Sequence, residues 1–261
     1  MADVRHDVLS YGGGRQTIAL CILIVQGKLP RPERIVCADT GREASSTWDY
    51  LHAHVAPLLE TVGLTVEIAG HDLARTDLWD VNGDVLIPAY TTEAKMRTFC
   101  SSPWKRDVVR RYLRALGYGP KRPVRAWLGI STDEVGRAKP SDVAWHQNHF
   151  PLLFDVPMDK RECVSLVLAA GLPEPPRSSC WMCPHRADEE WLSLSPGDRA
   201  KANQLDAEVR ARDIANGKSG IWLHKSRKPL ADVTDAELTE PEVDLPLFGK
   251  NAECESGYCF L

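Results

Sequence analysis

Cysteines are the first residues of this chain that could do chemistry, because a thiolate is both a nucleophile and a metal ligand. The 261-residue sequence has eight of them. Cys180 and Cys183 form a C-x-x-C pair, a spacing typical either of two metal ligands on one turn or of a redox pair. Cys100 and Cys163 lie in polar surroundings. With the pair they supply four thiolates, the number that completes a zinc site or a 4Fe–4S cluster.

Three consecutive glycines form a second chemical feature. They lie between an apolar run at residues 7–11 and a helical pattern at residues 17–26. Such a loop lets backbone N–H groups turn toward an anion at a helix N-terminus, where the dipole favours negative charge. The spacing fits neither the P-loop nor the dinucleotide-binding pattern. The loop therefore indicates a pyrophosphate site, with a plain strand-to-helix turn as the alternative. Its residues are Ser10, Gly12, Gly13, Gly14, Arg15, Gln16 and Thr17.

A side chain at Gly13 is expected to block the approach of the backbone to phosphate and to leave the fold intact.

Polar residues also follow two other predicted strands. Asp39, Thr40 and Gly41 end the run at residues 34–38, and residues 129–137 follow the run that starts at 124. Ligands of open parallel sheets lie outside the carboxyl ends of the strands, so both stretches should face one crevice. A carboxylate at Asp39 suits ribose hydroxyls. Carboxylates at Asp133 and Glu134 suit Mg²⁺. The alternatives are ordinary turn residues.

The elements that must position these residues alternate along the first half of the chain. Strands are predicted at residues 7–11, 34–38, 64–69 and 124–130, and helices at 17–26, 43–62 and 104–117. This alternation predicts an open, mostly parallel, Rossmann-like α/β sheet. Prolines then punctuate a helical C-terminal portion that carries the metal site, with helices at 161–170 and 198–216. The predicted division is a nucleotide-binding core at 1–140, a cysteine-containing portion at 141–230 and a loosely wrapped acidic tail at 231–261.

The glycine loop resembles the PP-loop of the adenine nucleotide α-hydrolase superfamily, which contains ATP pyrophosphatases and PAPS reductases. Gln16 stands where that family usually has Asp. Residues 38–43 are similar to the family's A-D-T-G-x-E stretch. Residues 129–137, which include Gly129, Ser131 and Arg137, are similar to its G-I-S-x-D-E-x-x-R stretch. The resemblance implies an adenine nucleotide, with Arg137 on a substrate phosphate.

A further stretch, from residue 161 to 186, resembles members of the family related to Dnd-type DNA phosphorothioation proteins and phage-borne relatives. It ends in the pattern S-x-C-x-x-C-P-x-R. In that branch the cysteines matching Cys100, Cys163, Cys180 and Cys183 are ligands of an iron–sulfur cluster, and Lys105 matches a motif lysine. The resemblance covers about residues 7–191. It favours a 4Fe–4S cluster over Zn²⁺, which the spacing alone leaves open.

The activity implied is ATP- and Mg²⁺-dependent adenylation of an acceptor for sulfur transfer. The acceptors compatible with this activity are DNA, another nucleic acid and a small molecule, and the expected sulfur donor is a cysteine desulfurase. A PAPS-like sulfonucleotide reductase is the alternative, in which a tail cysteine, Cys259, is the nucleophile and Cys254 lies nearby. The candidate catalytic residues are Lys105, Asp133, Arg137 and Cys259. A third reading is a nucleotide-binding cluster protein without catalysis.

Charge and hydropathy restrict the other classes. The net charge is −4, which argues against coating nucleic acid by bulk charge but leaves room for a basic patch on the helix at 104–117. The longest apolar run covers eight residues, 18–25, against the ~20 that span a bilayer. We therefore expect a cytoplasmic protein without a membrane partner. Cys21 and Cys37 lie inside apolar runs and are expected in the core.

Overall fold

One five-stranded sheet organises the chain, with the strand order β3-β2-β1-β4-β5. The computed structural model describes residues 5–70, 78–96 and 100–239. Cys254 and Cys259 lie outside these ranges, as does the segment that follows residue 239. The strands are β1 (His6–Ser10), β2 (Arg34–Ala38), β3 (Val66–Ala69), β4 (Val124–Trp127) and β5 (His146–His149).

All neighbouring strands are parallel, which confirms the predicted α/β class. Leu9 of β1 pairs with Ile35 on one side and with Trp127 on the other. The sequence order of the strands reverses between β1 and β4, so this is the topological switch point of the sheet. In such sheets the crevice outside the carboxyl ends at the switch point is where ligands bind.

Helices cover both faces of the sheet. They are α1 (Arg15–Val25), α2 (Ser45–Tyr50), α3 (Ala56–Glu60), α4 (Asp107–Ala115), α5 (Pro151–Phe154), α6 (Lys160–Ala169), α7 (Asp188–Leu192), α8 (Pro196–Ala215) and α9 (Asp235–Thr239). α1 is apolar almost all round because it is buried between the sheet and α6. Cys21 and Cys37 belong to this core, as expected. α4 covers the opposite face with Val108, Val109 and Leu113.

Two π-helical turns interrupt the helices that the periodicity predicts. The helix expected at 43–62 is divided by a π turn at Leu51–Val55. The one expected at 104–117 begins with a π turn at Ser102–Arg106. Such turns are rare and occur frequently at functional sites. The second one carries Lys105.

The α/β unit continues beyond residue 140, where the sequence predicts a boundary or a change of topology within one domain. β5 pairs with β4, and α6 packs against α1. In the part of the predicted tail that the structure describes, Val233 and Leu238 are buried. Within the described ranges, no helix is both long enough and apolar enough to cross a membrane.

A second apolar core lies beside the carboxyl edge of the sheet. It combines Ile87, Ala89 and Trp104 with Met182 and the apolar side chains of residues 191–238. The backbone joins this part to the sheet. Trp181 N–H donates to the carbonyl of Arg42 at 2.9 Å, and Ala44 N–H donates to the carbonyl of Ser179 at 3.1 Å. The C-x-x-C segment is therefore fixed against the end of β2.

Candidate functional site

The glycine loop leaves β1 and forms the start of α1. Gly13 has a φ of +71°, and a Cβ there would lie 2.5 Å from Cγ2 of Thr47. The Ser178 hydroxyl donates to the carbonyl of Gly12 from the other side. The loop is therefore closely packed at Gly13, so a side chain there would cost folding stability in addition to blocking the approach of the backbone to phosphate.

Gly14 differs from its neighbour. Its φ is −88°, it is the N-cap of α1, and the atoms nearest to a Cβ at this position are 3.9 Å away. Any residue can adopt this backbone without strain. A side chain at Gly14 would lie in open space in front of the helix N-terminus.

That open space is a cleft of about 150 Å³ at the switch point of the sheet. Its lining residues are Gly14, Arg15, Gln16, Glu134, Lys160, Arg177, Ser178 and Glu190. The glycine loop, the turn after β4 and the first residue of α6 thus meet at one place. Three cationic side chains and a helix N-terminus at one cleft are suited to an anion.

Glu134 is the buried centre of this cleft, at 5 % exposure. Its Oε1 lies 2.7 Å from Nη1 of Arg137 and 2.7 Å from Nζ of Lys160. Its Oε2 accepts from the Gln16 amide at 3.1 Å. Both oxygens are engaged, and two cations offset one carboxylate. Glu134 is therefore not arranged for Mg²⁺, contrary to our expectation, and Arg137 contacts Glu134 where we expected a substrate phosphate.

Asp133 lies at the rim, with an exposed side chain. One oxygen accepts the backbone N–H of Lys160 at 3.1 Å, and the other is 4.0 Å from Nζ of Lys160. A capping box between Asp159 and Glu162 fixes the start of α6 and so the position of Lys160. Asp133 remains a candidate oxygen ligand at the cleft.

Sequence reasoning missed Lys160 and Arg177 as site residues. Arg177 makes a bidentate ion pair with Glu190, at 2.8 Å to each oxygen. Arg15, which we did predict, contacts Glu174 at 2.9 Å. The signal for Lys160 was its position as the first residue of a capped helix. Arg177 lay within the motif ending at residue 186.

Several predicted loop residues hold the backbone in place. The Thr17 hydroxyl donates to the carbonyl of Gly14 at 3.0 Å. Ser131 is fully buried and lies 3.4 Å from the Gln16 amide nitrogen. A Cβ on Gly129 would lie 3.1 Å from the backbone nitrogen of Thr17, so the turn after β4 approaches α1 closely. Ser10 is buried at the end of β1.

The end of β2 forms a tight turn. Asp39 accepts the N–H of Gly41 at 2.7 Å, and Gly41 has a φ of +67°. The Thr40 hydroxyl accepts the N–H of Arg42 at 3.2 Å and lies 3.9 Å from the sulfur of Cys180. The turn role of Asp39 is thus observed, while its contact with ribose stays a prediction. This turn lies directly beside the C-x-x-C pair.

Lys105 forms a buried ion pair next to the same cysteine. Its Nζ lies 2.6 Å from Oε1 of Glu43, and the two side chains are only 6 % and 4 % exposed. The same oxygen is 4.0 Å from the Cys180 sulfur. Burial alone would lower the pKa of Lys105, but the Glu43 carboxylate holds that pKa above its usual value. The site therefore keeps a charged ammonium beside thiols. Glu43 was part of a recognised motif but was not assigned a role.

Three of the four predicted ligand cysteines are neighbours. Burial raises the pKa of the Cys100 thiol to about 12, with a further contribution from Cys183. Burial, the Glu43 carboxylate, Cys183 and Cys100 all raise the pKa of Cys180, while Lys105 opposes them. The raised pKa values favour the protonated thiol at Cys100 and at Cys180 in the absence of a metal.

Cys163 is not part of this group. It is fully buried in the core between α1 and α6. Burial raises its pKa to about 12, and its charged neighbours are Asp133 and Asp159. The predicted four-cysteine ligand set is therefore wrong at Cys163. In the described ranges, no three His, Cys, Asp or Glu side chains are arranged to hold a metal ion, so a four-thiolate shell does not fit.

Buried polar atoms border the turn and the thiols. Arg186 is buried and donates to the carbonyls of Ser179 and Cys180 at 3.1 and 3.2 Å, which holds the C-x-x-C loop. The Tyr11 hydroxyl, the Thr47 hydroxyl and Oε2 of Glu43 are buried without a hydrogen-bond partner among the described residues. They line a cavity of about 10 Å³. This volume suits one ordered water, which would satisfy all three.

Two arginines at the start of α4 and just before it are paired with carboxylates. Arg106 pairs with Asp107 at 2.9 Å, and Arg110 pairs with Asp142 at 2.7 Å. Farther along the chain, Arg125 makes a hydrogen-bonded ion pair with Asp7. These carboxylates offset much of the positive charge on which a nucleic-acid contact at this helix was predicted.

No protein-family model matches the chain, and no curated protein is significantly similar to it. Among solved structures, it resembles the U34-tRNA thiolase NcsA from Methanococcus maripaludis, whose structure contains a [4Fe-4S] cluster. The TM-score is 0.42 and the sequence identity 13 %, over 81 % of this chain and 67 % of that one. A likeness this distant carries no argument about the site. The chemistry must be argued from the residues above.

Proposed function

We propose that this chain is a PP-loop enzyme that uses ATP to adenylate an acceptor for sulfur transfer. The observation that carries the proposal is the glycine loop at the end of β1, which opens into a cationic cleft at the switch point of the sheet. Three cations and two carboxylates line the cleft, so a nucleotide polyphosphate there would take the place of carboxylate partners of Arg15, Lys160 and Arg177. The sequence motifs at residues 10–17, 38–43 and 129–137 support the same assignment.

In this proposal the backbone N–H groups at the start of α1 bind the β- and γ-phosphates of ATP. Arg15, Lys160 and Arg177 neutralise their charge, and Asp39 binds the ribose. An oxygen of the acceptor attacks the α-phosphorus, the bond to the bridging oxygen breaks, and pyrophosphate leaves with that electron pair. Catalysis then consists mainly of positioning and charge neutralisation. Asp133 is the proposed protein ligand of Mg²⁺.

The sulfur-transfer half of the proposal rests on the three neighbouring thiols. We infer that Cys100, Cys180 and Cys183 bind an iron–sulfur cluster or, as the alternative, Zn²⁺. Their side chains are not arranged as a metal site in the structure, so binding requires them to move together. Lys105 would offset the negative charge of the thiolates. The acceptor is proposed to be a nucleic acid, and the sulfur donor a desulfurase-type enzyme.

The nucleotide assignment is tested by ATP titration calorimetry of a Gly14→Val variant. The valine side chain would occupy the cleft without backbone strain, so we expect an ATP affinity lower by at least about tenfold, or ~1.4 kcal/mol. Gly197→Val is the matched control, because that glycine is exposed and has no atom within 4 Å of its Cβ position. Wild-type affinity in a folded Gly14→Val protein would contradict the assignment.

A second measurement separates the reaction types. Pyrophosphate released from ATP in the presence of an acceptor supports adenylation. Sulfite released from PAPS supports the reductase alternative instead.

A further inference from the structure

A second opening lies beside the C-x-x-C pair. It is an open groove of about 530 Å³, within the size range of small-molecule sites. It shares no lining residue with the cleft at Gly14, although Thr40 and Gly41 of the motif at residues 38–43 belong to its lining. The segment 177–183 borders both openings, since Arg177 and Ser178 line the cleft and Trp181 lines the groove.

One wall of the groove is a single face of α8. Lys201, Gln204, Leu205 and Glu208 are spaced by three, four and seven residues, which places them in one stripe of a helix. Leu205 is buried at 5 % exposure and forms an apolar floor. The Lys201 side chain is 61 % exposed, and its ammonium lies 3.4 Å from Oδ1 of Asp198, so a phosphate in the groove would share this cation with that carboxylate.

The opposite wall is aromatic and cationic. Trp181 is half-buried, and its backbone N–H is fixed to the Arg42 carbonyl at 2.9 Å. The Arg42 guanidinium lies over the Trp104 ring, 4.8 Å from its centroid, which orients the cation. Thr40, also on this wall, is 3.9 Å from the Cys180 sulfur. A ligand in the groove would therefore lie next to the thiols.

We propose that this groove binds one unpaired nucleotide of a nucleic-acid acceptor. The base packs between Trp181 and Leu205, Gln204 hydrogen-bonds to its edge, and Lys201 and Arg42 bind the adjoining phosphates. An aromatic platform flanked by cations is how single strands are bound. That the bound strand is the acceptor rests on the proposed function. Binding of a single strand in the groove does not depend on it.

The charge distribution limits how the strand is held. The net charge is −4, and Arg106 and Arg110 pair with carboxylates, so few cations are left to contact a long phosphate chain. With two phosphate contacts, the logarithm of affinity should fall with the logarithm of salt concentration at a slope of about −1.4.

The experiment is fluorescence anisotropy with a fluorescein-labelled single-stranded RNA of about ten nucleotides, and with DNA of the same sequence, in the absence of ATP. Trp181→Leu and Lys201→Ala should each weaken binding by about fivefold or more, as expected for the loss of one stacking or phosphate contact. Glu208→Gln should strengthen binding, because it removes a negative charge from the groove. Lys28→Ala, at an exposed position on the far side of α1, is the matched charge control and should have no effect.

Binding of either strand with this variant pattern supports the proposal, and the preferred strand identifies the acceptor. Absence of binding to both strands would overturn it. Equal affinities of the wild type, Lys201→Ala and Glu208→Gln for the strand would also overturn it. So would complete displacement of the strand by AMP, at a concentration that saturates a site for a free mononucleotide. Because the assay contains no ATP, its failure leaves the nucleotide assignment standing. Gly14→Val should bind the strand as the wild type does.

Discussion

At the scale of single residues, the site combines groups whose partners come from distant parts of the chain. Lys105 and Glu43 form an ion pair that is almost fully buried beside Cys180. Buried ion pairs contribute little net stability, because desolvation offsets much of the attraction. The role of this pair that fits its position is to keep a positive charge next to the thiols. Sequence motifs identified Lys105, but only the fold brings Glu43 to it.

The charge state of His146 is decided by burial. The side chain is 5 % exposed, and both ring nitrogens lack a hydrogen-bond partner in the described part of the chain. Burial, followed by the nearby Arg110 guanidinium, lowers the pKa of His146 to about 4. The imidazole is therefore neutral in the folded state across the physiological range.

The first prediction concerns this histidine. The unfolded chain takes up a proton near pH 6.5, whereas the folded one does so only near the lowered pKa of about 4. The free energy of unfolding must therefore fall as pH decreases through this window, by roughly 2 kcal/mol between about pH 7.5 and pH 5. His146→Leu should remove this component in urea titrations at the two pH values. His52→Leu, at an exposed position, should keep it. Equal pH dependence in wild type and His146→Leu would contradict the prediction.

At the scale of elements, hydrophobic periodicity predicted the sheet well and its edge poorly. The four apolar runs are strands β1 to β4, with ends displaced by a few residues. β5 was missed because its sequence, His-Gln-Asn-His, is polar and its side chains are mostly half-buried at the edge. The π turns were missed because one inserted residue leaves the apolar pattern of a helix almost unchanged.

The second prediction concerns the loop that joins β1 to α1. Gly13→Ala should lower the free energy of unfolding by roughly 1–3 kcal/mol. The left-handed backbone at Gly13 is unfavourable for alanine, and the alanine Cβ would lie too close to Thr47. Gly14→Ala should be close to neutral. Thr47→Ser removes the contacting methyl group, so Gly13→Ala in that background should cost less. Urea denaturation of the four proteins and of Thr47→Ser/Gly13→Ala measures these differences. An equal cost at Gly13 in both backgrounds would show that Thr47 does not restrict the loop.

At the scale of the whole molecule, the C-x-x-C segment connects the sheet to the second core. Ser178 contacts the glycine loop, Trp181 is bonded to the turn after β2, and Met182 lies in the second core. That core joins Ile87, Ala89 and Trp104 to apolar residues from 182–238, which are far apart in sequence. Proline frequency suggested a boundary at residue 140, but it reports on local breaks in helices and strands. It carries no information about which segments pack together.

The last prediction tests which cysteines close the metal site. After anaerobic reconstitution with iron and sulfide, the variants Cys100→Ser, Cys180→Ser and Cys183→Ser should each lose most of the bound iron. Each of these cysteines supplies one of only three thiolate ligands. Cys163→Ser should keep its iron, since this thiol lies in the core between α1 and α6. It should instead lose stability, because a hydroxyl there would be buried in an apolar environment. Cys21→Ser is the matched control, being an equally buried cysteine in the same core.

Iron and sulfide assays together with urea denaturation separate the two effects. Loss of iron from a Cys163→Ser protein that urea denaturation shows to be folded would restore the four-cysteine site. The core between α1 and α6 would then have to open when metal binds. Full iron content in Cys100→Ser would reduce the ligand set to the C-x-x-C pair. Zinc in place of iron, lost in the same three variants, would change the metal and leave the three thiolates as its ligands. Because these thiols lie where the sheet meets the second core, metal bound to them should raise the melting temperature of both parts together.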